Sequence, residues 1–265
     1  MVASAIGRKD AWTEEQIRLA FYLYCQMPFG KMHSRNPEII ELASKIDRSP
    51  SAVAMKLVNF ASLDPDITSS GRTGLRNASA ADKKVWKEFH DDWEALAEYC
   101  EGLLVSKTPE RNIASQAMSF AEPVPATFVG ADRQATVNVR INQSFFRKSV
   151  LASYGSKCCM SGVSAPQLIV ASHIIPWAKD EKNRLNPRNG LCLSAIHDKA
   201  FDNGLITVTP EMRVEVSEDL RRRATEGQVS ASLATLHGGK IELPARFRPD
   251  RNFLRWHNEN VFVGL

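Results

Sequence analysis

The chain has 265 residues, a formal net charge of +4, 43% hydrophobic residues and 24% charged residues. This composition excludes a disordered or fibrous chain and suits a globular protein of two domains at about 100–200 residues each. No run approaches the roughly 18 apolar residues of a membrane helix, and the start MVASAIGRKDAW lacks the apolar core of a secretion signal. A cytoplasmic protein without membrane contact is expected. Five cysteines (Cys25, Cys100, Cys158, Cys159 and Cys192) contain no C-x-x-C pair, which speaks against a disulfide framework and a zinc knuckle.

In chain order, Thr13 is a good N-cap for a helix through Ile17, Leu19, Tyr22 and Tyr24 that ends near Met27-Pro28. Asn36-Pro37 starts an amphipathic helix, PEIIELASKI. After the break Asp47-Arg48-Ser49-Pro50, Ser51 opens another helix with Val53, Ala54, Leu57 and Phe60 on one side. This pair resembles a helix-turn-helix, which would place Arg48, Ser49, Ser51, Lys56 and Asn59 near DNA. Two packed helices joined by a short turn are the plainer alternative. Arg72 and Arg76, in the loop GRTGLRNAS, are further candidates for phosphate contact.

Ser79 or Asp82 caps the next helix, with Val85, Trp86, Phe89, Trp93 and Leu96. Residues 88–105 hold six acids and no base, so their polar side should face solvent rather than DNA. Residues 106–265 hold 21 bases against 15 acids, a mild excess that suits a polyanion and equally suits a solvated surface. Ser106–Asp132, with Pro109, Pro123 and Pro125, reads as a linker. Ala135–Ile141 alternates and predicts a strand. Asn142–Leu151 predicts a helix with Phe145, Phe146, Val150 and Leu151 packed. Gly204–Val216 predicts a hairpin turning at Thr209-Pro210, and Arg221, Arg222 and Arg223 read as a charged helix face, with a grip on a phosphate backbone as the alternative. The expected domains are residues 1–105, helical and DNA-reading; 106–134, linking; and 135–265, carrying the chemistry.

The informative stretch runs from Cys158 to Asp202. An apolar strand, Leu168–Ile175, carries His173 near its end; a polar loop follows; Asn189-Gly190 makes a turn; and a second apolar run leads to His197 at a helix start. In order and spacing, His173, Asn189 and His197 resemble the ββα-metal motif of the HNH endonucleases. YGSKCCMSG and the F-R-x-x-V-L lead-in resemble the same group, so the likeness covers about Val137 to the C-terminus.

The resemblance implies an α+β protein: a helical, helix-turn-helix-like N-terminal domain and a C-terminal HNH nuclease domain. It implies that His173 is the general base, that Asn189 holds the His173 backbone, and that His197 ligates a divalent metal. Mg2+ or Mn2+ is expected, with Co2+ or Ni2+ admitted by histidine ligation. The reaction implied is hydrolysis of double-stranded DNA; one site cuts one strand, so cutting both takes a dimer or two visits, and a homodimer is the economical choice. Imidazole, with an ordinary pKa near ~6.5, suits proton removal from water at neutral pH. One departure stands out: Ser172 occupies the position where many members carry a ligand. Asp202 is the nearest spare carboxylate, to be read as a metal ligand or as a turn residue. Arg184 and Arg188 are candidate DNA contacts from the loop. A restriction or defence role, open to modification dependence, follows from the resemblance. A DNA-binding regulator with a degenerate nuclease fold and a nuclease effector switched by a partner or signal are the alternatives. His257 has two readings, a reach into the site or packing beside Trp256.

Overall fold

The computed structural model describes residues 11–71, 77–107 and 133–264, and for residues 133–142 the backbone only. Helix α1 (Glu14–Gln26) starts with a capping box, in which the Thr13 hydroxyl accepts from the Gln16 amide and the Gln16 side chain accepts from the Thr13 amide. Helices α2 (Pro37–Lys45) and α3 (Pro50–Ala61) each carry proline in the first turn behind an N-cap, Asn36 and Ser49 respectively. A short α4 (Pro65–Ser69) follows, and then α5 (Ala80–Asp91) and α6 (Trp93–Ser106). Ser79 caps α5 and Asp82 returns the bond, so both expected capping residues take part. Phe21 lies edge-on to Phe60, Trp86 and Phe89 and gathers these helices into one core.

Residues 108–132, most of the expected linker, and 72–76, with Arg72 and Arg76, lie outside the described residues. Beyond them, α7 (Arg133–Ser153) is one continuous helix. The strand expected over Ala135–Ile141 is therefore corrected to helix. Residues 133–153 contain no Gly or Pro. β-Branched residues gain from a strand only where a neighbouring strand pairs with them, whereas a helix already formed adds one backbone bond per residue.

The chain then folds into two antiparallel hairpins. Strand β1 (Ile169–His173) pairs with β2 (Gly190–Ser194), with His173 opposite Gly190 and Ala171 opposite Cys192. Helix α8 (Ala195–Asp202) starts directly from β2, with Ser194 as its N-cap. Strands β3 (Ile206–Val208) and β4 (Val214–Val216) form the second hairpin with its turn where Thr209-Pro210 predicts it. Helices α9 (Glu218–Arg222), α10 (Gln228–Ala234) and α11 (Arg251–Asn260) complete the fold. The protein is α+β, a helical N-terminal region followed by small antiparallel sheets within further helices. Arg222 and Arg223 are exposed and paired with Asp219, as a charged helix face should be.

Helix α7 is held from two directions. Phe145 stacks on Tyr22 of α1 with ring centroids 5.0 Å apart, while Phe146 faces the first hairpin. Gly190 lets the helix approach, because a Cβ there would stand 2.4 Å from Val150 Cγ2. Cross-strand partners share a face, so His173, Ala171, Gly190 and Cys192 look toward α7. Ser172, Val170, Leu191 and Leu193 look the other way, and α8 packs on both strands. A second tie crosses from the C-terminal region. Arg246, 1% exposed, donates to the Cys25 and Met27 carbonyls and lies over the Tyr24 ring.

Candidate active site

His173 is the last residue of β1, and three contacts define its ring. Phe146 stacks on it at 3.7 Å between centroids and 9° between planes, Trp177 meets it edge-on at 5.6 Å, and Nε2 lies 2.9 Å from the Arg184 carbonyl oxygen. A carbonyl only accepts, so in the neutral ring Nε2 carries the hydrogen and Nδ1 the lone pair. Burial lowers the pKa to about 4, against a smaller upward pull from the Arg184 carbonyl. His173 is therefore a neutral base of fixed tautomer across the physiological range.

Asn189, fully buried, holds the chain just after His173. Its Oδ1 accepts from the Ile175 amide at 2.8 Å, and Nδ2 donates to the carbonyls of Ile175 and Asn183 at 3.1 and 3.2 Å. The side chain thus grips Ile175 rather than His173 itself, a correction to the expected contact. The β-ladder ends at the His173–Gly190 pair, so the peptide groups beyond it need other partners, and Asn189 supplies them. Its own backbone carbonyl takes the Ile174 amide.

His197 sits in the first turn of α8, nearly buried, with Nδ1 3.2 Å from Cys158 Sγ. Among the described residues its Nε2 has no protein partner. The Cys158 thiol is pulled down to about 6: burial opposes this, and the hydrogen bonds from His197 and Ser161 outweigh it. No hydrogen bond or ring contact joins His173 to His197 among the described residues. Ser172 is 3% exposed and its hydroxyl has no hydrogen-bond partner among the described residues.

Asp202 closes α8 five residues after His197, which puts the two about 140° apart around the helix axis. Desolvation first, and then the Asp198 carboxylate, raise the Asp202 pKa to about 6. No three His, Cys, Asp or Glu among the described residues gather as cation ligands. The donor set still suits a divalent cation in one respect. An imidazole with one nitrogen engaged and the other open is how a ligating histidine is presented, and water and phosphate oxygens can fill the other positions.

The candidate DNA contacts fare unevenly. Lys56 is 7% exposed, bonds to the buried Asp82 carboxylate at 2.8 Å and lies over Trp12. It is removed from the DNA contacts, because a side chain buried in an ion pair cannot also reach a phosphate. Arg48 bonds to Gln16 and the Ala11 carbonyl and stacks on Trp12, which makes it a clasp at the helix-pair turn. Ser51 is exposed on α3. Arg184 bonds to the Trp177 carbonyl and to Glu181, and Arg188 approaches Asp250 at 3.9 Å. His257 is not part of the site. Its Nδ1 meets Thr207, its Nε2 meets the Phe201 carbonyl, and its ring stacks on Phe201.

The comparison with known families agrees with this geometry. Residues 158–209 match the HNH endonuclease family. This segment is an HNH nuclease domain. It holds Cys158, His173, Asn189, His197 and Asp202, and it leaves α1–α7 outside the match. No curated protein matches the chain. The HNH match supports a nuclease acting on nucleic acid, and HNH nucleases generally use a divalent metal ion. No helix among the described residues is long and apolar enough to cross a membrane.

Two residues at the HNH site were not singled out from the sequence. Phe146 was expected only to pack, yet it lies in the F-R-x-x-V-L lead-in whose resemblance to the family hinted at more. Cys158 lies in the YGSKCCMSG segment that resembles the same group, but its partner, 39 residues away on another element, is not legible locally.

Proposed function

We propose that the protein is a metal-dependent endonuclease that hydrolyses double-stranded DNA, with His173 as general base and His197 as a metal ligand. The observation that carries this reading is the His173 ring: neutral, held on three sides, with Nε2 engaged by the Arg184 carbonyl and no hydrogen bond to Nδ1 among the described residues. His173 takes a proton from water at Nδ1, and the resulting hydroxide attacks phosphorus in line. The P–O3′ bond breaks and the departing 3′-oxygen takes a proton from solvent water, leaving 5′-phosphate and 3′-hydroxyl ends. A cation held by His197 would neutralise phosphate charge and stabilise the leaving oxygen. Asn189 keeps the loop after His173 in place, so that Nδ1 stays aimed. A base near pKa 4 is weak, and a phosphate beside it strengthens it by favouring the imidazolium.

On this reading residues 1–105 form a DNA-reading domain, 106–134 a linker and 135–265 the nuclease. Ser51, Arg72, Arg76, Arg184 and Arg188 remain proposed contacts, and Asp202 would act on the cation through water. A homodimer matches the two strands of a duplex. The biological role proposed is restriction or defence, with modified bases as one substrate class.

The test is plasmid cleavage by wild type and His173→Ala on unmodified, cytosine-methylated and hydroxymethylated DNA, with EDTA, Mg2+, Mn2+, Co2+ or Ni2+. Metal-dependent cutting that disappears in His173→Ala supports the enzyme. A second reading, a DNA-binding regulator with an inactive nuclease fold, is favoured by Ser172 standing at the usual ligand position. It leads if neither protein cuts and both bind DNA equally.

A further inference from the structure

We propose that Phe146 is a positioning residue for His173, so that the catalytic unit of the nuclease begins in α7, upstream of the matched segment. This rests on the reading of His173 as general base. The two rings lie nearly parallel at van der Waals separation, and Phe146 is 2% exposed. Trp177 bounds the imidazole at an edge and the Arg184 carbonyl fixes Nε2, and among the described residues Phe146 is the ring stacked on its face. With that face open, the ring could turn about its Cβ–Cγ bond and the lone pair would lose its aim.

The seat of Phe146 is itself rigid. A Cβ on Gly190, the residue opposite His173, would lie 3.0 Å from Phe146 Cζ, so the helix rests directly on the hairpin. Arg147 donates to the Ile169 carbonyl at the other end of β1. Phe145, one residue before Phe146, is clamped between Tyr22 and Trp93. Consecutive helical side chains diverge by about 100°. One turn of α7 therefore grips the helical region with one phenylalanine and the base with the next.

The experiment uses the full chain as wild type, Phe146→Tyr, Phe146→Leu and Phe146→Ala. Two quantities are read: the NMR titration of the His173 ring in metal-free protein, and the pH profile of plasmid nicking in Mg2+ or Mn2+. Phe146→Leu and Phe146→Ala should move the His173 titration upward toward that of a free imidazole. They should cut kcat roughly 100-fold with KM little changed, as expected for a misaimed base. Phe146→Tyr should keep the wild-type titration and most of the rate. An unmoved His173 titration and pH profile in folded Phe146→Leu overturn the proposal. If wild type cuts no DNA, the nuclease reading fails, while the titration still decides whether Phe146 holds the ring.

Discussion

Cys158 Sγ and His197 Nδ1 face each other at 3.2 Å, and this contact leaves Nε2 as the imidazole nitrogen without a hydrogen bond among the described residues. In metal sites such an outer partner orients the ligating ring, and its removal typically weakens metal binding about 10–100-fold. Cys158→Ala should therefore lower cation affinity by that factor, read by Mn2+ titration calorimetry on the metal-free protein, with little change in melting temperature. Equal affinity in mutant and wild type would remove Cys158 from the site.

Asn189→Ala deletes the acceptor of the Ile175 amide and the donor to two carbonyls in a fully buried setting. Each orphaned buried group costs about 1–3 kcal/mol. The variant should unfold at clearly lower urea concentration. In its folded fraction the rate should fall as well, because the loop carrying the Arg184 carbonyl loosens. A mutant with wild-type urea midpoint and wild-type nicking rate would show that these bonds are dispensable.

Lys56→Met leaves the Asp82 carboxylate buried without its cation, a loss worth about 3–5 kcal/mol when a buried pair is broken. Thermal unfolding should shift accordingly, while DNA affinity of the folded protein stays at the wild-type value. Weakened DNA binding at an unchanged melting temperature would instead return Lys56 to the DNA surface.

Acid should destabilise the fold through two histidines. Burial holds both His173 and His257 at about 4, below the ordinary value near ~6.5 of an unfolded chain. Between these limits the unfolded chain binds protons that the folded one refuses, so stability is complete above about 6.5 and drains away as pH falls to about 4. Asp202, raised to about 6, acts in the opposite sense, and its contribution fades as pH rises through that value. Urea midpoints at pH 7, 5.5 and 4.5 should decline, and His257→Gln should flatten the decline. A flat profile in wild type would mean that the histidines are not held neutral.

Much of this fold was legible in the sequence because it was written in local signals. Thr13, Asn36, Ser49 and Ser79 cap where short polar side chains precede apolar periodicity, and Asn189-Gly190 marks the turn into β2. The motif order placed His173 at a strand end and His197 in a helix start, and the structure has them there. What sequence could not supply were partners distant along the chain. The alternation of Ala135–Ile141 looked like a strand because nothing local reveals the lack of a neighbouring one. Lys56 looked like a free cation on a recognition helix because Asp82 lies 26 residues away. Asn189 gave its residue type but not its target, which depends on where the ladder stops.

Arg246 completes the C-terminal end of α1 from 221 residues further along the chain. During synthesis the Cys25 and Met27 carbonyls precede Arg246 by 221 and 219 residues, and they bond to water until it arrives. Contacts so far apart in sequence close late and slow the final folding step. The bond that closes the end of α1 thus comes from beyond the hairpin that carries His173, so this tie forms only once the segment holding Arg246 has been made.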